Sequence, residues 1–414
     1  MIRASRPRLL VETREIDPID DLLAFTDPAR PLVWQRRGEG MVGLGEPLAL
    51  PFASDADARA DRWRELAAAA VVDDPLEIPG TGLVAFGALP FDCRSARPGA
   101  LLVPPVVIGR RDGRSWLTRI RWSDDAVLAP AATPYGAHWS ATLGPGRQHP
   151  AGYIASVREA VAAIAAGEVS KVVLARDLAG TVPAGSDLRR LVRALASGYP
   201  DTWAFAVDGL IGASPETLVT VEQGTVTARV LAGTTARGAD PDTDAAAALS
   251  LATSTKDQDE HQFAVRSVLA ALDPHTRALR SSEQPFTLKL PNVWHLATDV
   301  EGALSDTASS LDLVAALHPT AAVAGTPTPA ALDVIRRLEP FDRGRYAGPV
   351  GWIDQAGDGE WAIALRCAQF DTPDSGGDVS LTAYAGAGIV AASDPESELL
   401  ETRVKFRPIV EALA

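Results

Sequence analysis

Lysine is scarce in this chain of 414 residues. Of its 39 Lys and Arg residues only four, Lys171, Lys256, Lys289 and Lys405, are lysine. Arginine serves wherever a fixed charge suffices, so a retained lysine points to a task that arginine cannot perform. The chief such task is giving up a proton: a desolvated ammonium can become a neutral base near pH 7, whereas guanidinium stays charged. The bland alternative for Lys171, in GEVSKVVLARDL, is a chance lysine at a strand start. Cysteine is scarce too. Cys93 and Cys367 form no CxxC pair and stand at no zinc-site spacing, which fits a reducing, cytoplasmic setting. Positive charge is in deficit, and the net charge of −14 argues against nucleic acid or an anionic membrane as partner. An anionic small substrate stays open if cations gather locally. No apolar run approaches the roughly 18 residues of a membrane span, and the N-terminal stretch MIRASRPRLLVETREIDP lacks a signal peptide's apolar core. GxSxG and HExxH are also absent, which disfavours the common nucleophilic hydrolases and zinc enzymes.

What is present changes character along the chain. Residues 1–145 are rich in Pro and Gly, with short apolar runs such as GLVAFGALPF and ALLVPPVVIG that read as strands, one Ala-rich helix, and no catalytic constellation. Residues 146–414 open with the amphipathic helix GYIASVREAVAAIAAGEV and the strand KVVLARDL. Further strands follow, then a long helix from about Thr255, the hairpin pair VGWIDQ and EWAIALRCAQF, the strand VSLTAYAGAGIV and a final helix. In that helix Ser393 and Glu396 read as a capping box, with Pro395 in the first turn. Hairpins without regular strand-helix alternation predict an α+β fold of mostly antiparallel sheets, with the two regions forming one unit.

Several residues in the second region suit chemistry. Glu398, Glu401 and Lys405, at i, i+3 and i+7, fall within about 60° of one another on a helix. They form either a solvated stripe or one wall of a site. The helix start KDQDEHQF adds Asp257 and Glu260, and carboxylates converging from two helices are what a Mg²⁺ site shared with an anionic substrate requires. LAGTTARG and AYAGAGIV read as strands ending in glycine, where main-chain N–H groups can approach an anion. Arg366, read as lying inside the apolar strand AIALRCAQF, is either paired or binds a carboxylate. Glu216, after Ser-Pro at a strand end, is a turn glutamate or a buried acid of raised pKa. His295 and His318 could be core histidines hydrogen-bonded to backbone, the commoner fate of the residue.

Together, GEVSKVVLAR, FAVDGLIGASPETLV, LAGTTARG, KDQDEHQF, HLATDVEG, LHPTAAVAGTP, RGRYAGPVGW, ALRCA and AGAGIVAASDPESELLETRVK resemble, in order, the motifs of chorismate-utilising enzymes. That resemblance implies two antiparallel sheets flanked by helices, with Mg²⁺ and chorismate in a central cleft. By motif position, Lys171 would activate water for attack at C2, and Glu216 would protonate the leaving C4 hydroxyl. Glu260, Glu398 and Glu401 would hold Mg²⁺, and Gly388 would offer its N–H to a substrate carboxylate. Arg366 and Tyr346 would bind the pyruvyl carboxylate, while Lys405 would add charge near the metal. Gly233, Thr234 and His295 would line the site.

Within the family, ammonia-using members carry glutamine at the position of Lys171, so lysine implies water as nucleophile and no glutaminase subunit. Salicylate synthases carry threonine at the position of Ala322; the small residue here implies an isochorismate synthase, serving menaquinone, siderophore or salicylate formation. The alternatives are a salicylate synthase, which goes on to eliminate pyruvate, an anthranilate or aminodeoxychorismate synthase, or a non-catalytic chorismate binder. A monomer is expected. Ala321, Arg345 and Cys367 depart from the family's usual residues, and Arg345 bears on the pocket wall.

Overall fold

Alternation decides which way each strand faces. In the strand Leu32–Arg36, Trp34 turns into one buried cluster and Val33 into a second on the other face, the two-residue period of a pleated strand. The computed structural model describes residues 8–52, 56–289, 293–371 and 377–414, and only the backbone of residues 51, 52, 56, 57 and 260. Among these, strands assemble into a thirteen-stranded and a ten-stranded sheet. The pairing is antiparallel except where Leu9–Ile16 meets Val71–Asp73. This is the α+β architecture expected from the hairpin pattern.

Both sheets run across the change in sequence texture. In the larger, Leu32–Arg36 pairs with Trp203–Val207; in the smaller, Val84–Ala88 pairs with Pro349–Asp354. The inner cluster includes the fully buried Trp34, Trp352 and Trp361. Trp34 Nε1 and Trp352 Nε1 both donate to Glu360 Oε2, at 2.9 and 3.1 Å, so one carboxylate ties the two sheets while satisfying two indoles. Burying one such ring removes about 200 Å² from water, roughly 5 kcal/mol before entropy is counted. The outer face of the larger sheet is covered by the helices Arg189–Gly198 and Pro395–Ala412, through Leu191, Leu195, Phe406 and Ile409.

Three local expectations need correction. EWAIALRCAQF is not one strand: Gly359–Ile363 belongs to the smaller sheet and Cys367–Phe370 to the larger, with Arg366 in the break at φ 50°. The chain must change sheets there, and a left-handed residue makes the corner. The glycine segments do not end their strands either. Thr225–Ala236 continues past Gly233 through a bulge at φ 79°, and Val379–Ile389 runs through both Gly386 and Gly388. Finally, the last helix is capped by Asp394, which accepts from Ser397 N at 2.9 Å, and not by Ser393. Pro395 occupies the first turn, so the residue before it, held extended, takes the cap.

Candidate active site

Lys171 begins the strand Lys171–Val182, whose neighbour Val379–Ile389 pairs Val173 with Gly388 and Ala175 with Gly386. The other edge is covered at first by Gly325–Thr326, opposite Val172 and Lys171. Beyond them a buried ion pair replaces a strand. Glu339 accepts from Ala175 N at 2.7 Å, and Arg343 donates to Val173 O at 2.7 Å, while the two side chains bond each other at 2.6 and 2.9 Å. Backbone groups with no strand beside them must be satisfied by side chains. Because Val173 and Ala175 turn their hydrogen bonds to this edge, Gly388 and Gly386 turn theirs away from the Lys171 strand. Gly386 O accordingly accepts from Lys405 Nζ at 2.9 Å, and Gly388 N–H projects on the same side, past the end of pairing with Cys367–Phe370.

The missing side chains at these glycines matter. A Cβ on Gly388 would lie 3.1 Å from Lys171 Cε, and one on Gly386 would lie 3.2 Å from Tyr346 Oη. Glycine therefore clears the space into which the lysine and the tyrosine reach. Tyr346 is buried and stacks on Tyr384 at 5.2 Å.

Glu216 and Arg366 sit at two adjacent corners between the sheets. Leu210–Ser214 lies in the larger sheet and Thr217–Glu222 in the smaller, so Pro215 and Glu216 form one crossing and residues 364–366 form the other, running the opposite way. Ile363 N donates to Glu216 O at 3.0 Å and Ala213 N to Arg366 O at 3.2 Å, which locks the corners together. Burial pushes the Glu216 carboxyl up to about 7, against the opposing pull of Lys171, Lys405 and Arg366. Desolvation wins because a carboxylate loses more on leaving water than these cations return.

The bulge at Gly233 throws Thr234 against His295 on the strand Val293–Leu304, with Thr234 Oγ1 2.8 Å from His295 Nδ1. Burial, then the charges of Lys405 and Arg366, push His295 down to about 3, so it is neutral at pH 7. His318 is a core histidine, its Nε2 donating to Phe91 O at 3.0 Å.

On the C-terminal helix, Glu398 and Glu401 face inward with Lys405, whose Nζ lies 2.6 Å from Glu401. Burial and then the Glu401 charge raise the Glu398 pKa, opposed by a hydrogen bond from Ser393. Glu260 lies on the helix Thr255–Leu272, but its side chain is outside the described residues. Among the described residues, no group of three or more His, Cys, Asp or Glu side chains is close enough to hold a metal. A hard cation is nevertheless a fitting partner for the Glu398–Glu401 pair. Mg²⁺ is commonly held by one or two carboxylates, with substrate oxygens and water completing its shell, and a cation there would relieve the repulsion that raises Glu398.

Apart from His318, and leaving aside the undescribed Glu260 side chain, these residues converge on one cavity of about 420 Å³. Its walls include Lys171, Glu216, Gly233, Thr234, His295, Ala322, Tyr346, Arg366, Gly388, Glu398, Glu401 and Lys405, every described residue that the family resemblance assigned to the site. Arg345 is not among them. It is buried and paired with Asp208 at 2.7 Å, so its departure from the family pattern does not alter the wall. Lys256, Arg343 and Ser397 also line the cavity without a role assigned from sequence, as does Ser393, which was read only as a helix cap. The rarity argument applied to Lys171 could have found Lys256. Nothing local marks Arg343, which is placed by long-range packing.

A family model for chorismate binding enzymes matches residues 2–414. The chain is 39% identical over 339 residues to the isochorismate synthase DhbC of Bacillus subtilis, covering 79% of this chain and 80% of that one. It is 34% identical over 449 residues to the salicylate biosynthesis isochorismate synthase of Pseudomonas aeruginosa, covering 99% and 91%. The solved structure of MenF, the menaquinone-specific isochorismate synthase of Escherichia coli, superimposes with a TM-score of 0.78 at 25% identity over 98% of this chain and 96% of that one. The chain belongs to the chorismate-binding enzyme family.

Proposed function

We propose that the protein is a Mg²⁺-dependent isochorismate synthase, converting chorismate to isochorismate. The observation that carries this reading is the pairing, across one cavity, of a lysine with a half-buried carboxyl raised to about 7. Such a carboxyl retains a proton to donate at neutral pH, and a lysine in its neutral form can accept one. Lys171 takes a proton from water as the oxygen attacks C2. The ring double bonds shift, the C4–O bond breaks, and Glu216 gives its proton to the departing hydroxyl, which leaves as water.

Arg366, Tyr346 and the outward Gly388 N–H supply donors for the two substrate carboxylates. Glu398 and Glu401 would hold Mg²⁺, with Glu260 as a third candidate from the facing helix. Bound there, the ion would supply positive charge for the ring carboxylate. Lys405 already neutralises Glu401 and would steady the helix against the glycine strand. His295, neutral and held by Thr234, would offer a hydrogen bond without adding charge.

Two features favour isochorismate as the end product. Lysine at 171 suits water, not ammonia, as nucleophile. Ala322 presents a methyl where a hydroxyl would accompany the salicylate-forming alternative. The test is proton NMR of chorismate incubated with protein and Mg²⁺. The expected result is an equilibrium mixture with isochorismate and no pyruvate. Salicylate and pyruvate growing with chorismate loss would move the assignment to a salicylate synthase, and no turnover would overturn both.

A further inference from the structure

The reaction proposed above consumes one water and produces another, and both must move while chorismate fills the cavity. A recess of about 280 Å³ adjoins the cavity and shares Glu216, Leu231 and Ala322 with it as common wall. It lies between the smaller sheet, the helix Thr255–Leu272 and the turn after Leu317. Its walls are mostly apolar, with Ala228, Val230, Ala264, Val268 and Leu317 among them. Among the polar groups that interrupt this pattern, two are orphaned. Among the described residues, Thr320 Oγ1 and His318 Nδ1 are buried without a hydrogen-bond partner, and both residues line the recess. Since His318 Nε2 donates to Phe91 O and burial pushes the ring down to about 4, Nδ1 is an acceptor. An orphaned hydroxyl and an orphaned acceptor in a space of this size are what one or two waters satisfy. A separate recess of about 230 Å³ borders Lys171 and does not include Glu216, so water reaching the base need not pass the acid.

We propose that the recess behind Glu216 receives the water formed from the C4 hydroxyl. This rests on the isochorismate synthase reading. The atoms balance without any further reactant: the Glu216 proton and the C4 oxygen with its hydrogen become water, the C4–O electron pair leaves with that oxygen, and the proton taken up by Lys171 restores Glu216 through solvent. His318 Nδ1 and Thr320 Oγ1 hold the water once it has formed, which keeps it from adding back at C4.

The test fills the recess without touching the cavity. Ser267 and Ala271, one turn apart on the helix Thr255–Leu272, both line it. Ser267→Leu and Ala271→Leu should lower kcat about tenfold with little change in the KM for chorismate or in melting temperature, as when product release is obstructed. The decisive readout is isotopic. In ¹⁸O-labelled water, wild-type protein should label recovered chorismate at C4 in step with isomerisation. In the filled variants labelling should lag behind isomerisation, because trapped unlabelled water returns to C4. If either variant folds and both kcat and the labelling ratio match wild type, the proposal is wrong. If wild-type protein forms no isochorismate, the parent reading is what has failed.

Discussion

Glu216 shows how far position alone can shift a group. It is an ordinary glutamate in sequence, yet the corner between sheets strips away enough water to push its carboxyl from 4.5 to about 7. Its neutral form is thereby favoured in the folded state. The linked stability is full below about pH 4.5 and is lost as pH rises through about 7. The same titration removes the acid that catalysis needs. We therefore expect kcat/KM to fall at alkaline pH, by about tenfold per unit once both Glu216 and Lys171 are deprotonated, and Glu216→Gln to lose activity without losing the fold. A pH–rate profile, with circular dichroism of the variant, checks both. A rate flat from neutrality through the alkaline range would show that Glu216 is only a turn residue.

At the scale of elements, the site depends on two pieces of geometry that sequence patterns convey unequally. The C-terminal helix was legible: its i, i+3, i+7 spacing put Glu398, Glu401 and Lys405 on one face, and there they are. The sheet crossings were not. The apolar run around Arg366 reads as one strand because periodicity does not reveal that two halves of a strand pair in different sheets. Likewise, Gly233 and Gly388 read as strand ends, because a bulge and a cleared glycine face are defined by the neighbouring strand. The helix gives a prediction of its own. Glu401→Gln should raise the Mg²⁺ concentration needed for half-maximal rate on the order of tenfold or more. It should barely move the melting temperature, since the i,i+4 pair with Lys405 is partly exposed and worth about 0.5 kcal/mol or less. Titrating rate against Mg²⁺, beside thermal melts, separates the two effects. An unchanged Mg²⁺ dependence would return this face to the status of a solvated stripe.

The whole molecule spends its lysines narrowly. Three of the four, Lys171, Lys256 and Lys405, line one cavity, whereas arginine makes the large majority of ion pairs between described residues elsewhere. Fold class and part of the candidate site could be read from such local signals, and the rest of the site from the family resemblance. The buried Arg343–Glu339 pair that replaces a sheet edge could not, because it is set by strands and helices distant in sequence. The proposed chemistry depends on Lys171 releasing a proton that arginine would keep. Its most direct test is the kcat and KM of wild type, Lys171→Arg and Lys171→Ala, with folding verified. Both variants should lose on the order of 10² to 10⁴ in kcat, because retaining charge does not restore a base. An arginine variant within a few-fold of wild-type kcat, changed mainly in KM, would contradict the base assignment and with it the choice of water as nucleophile.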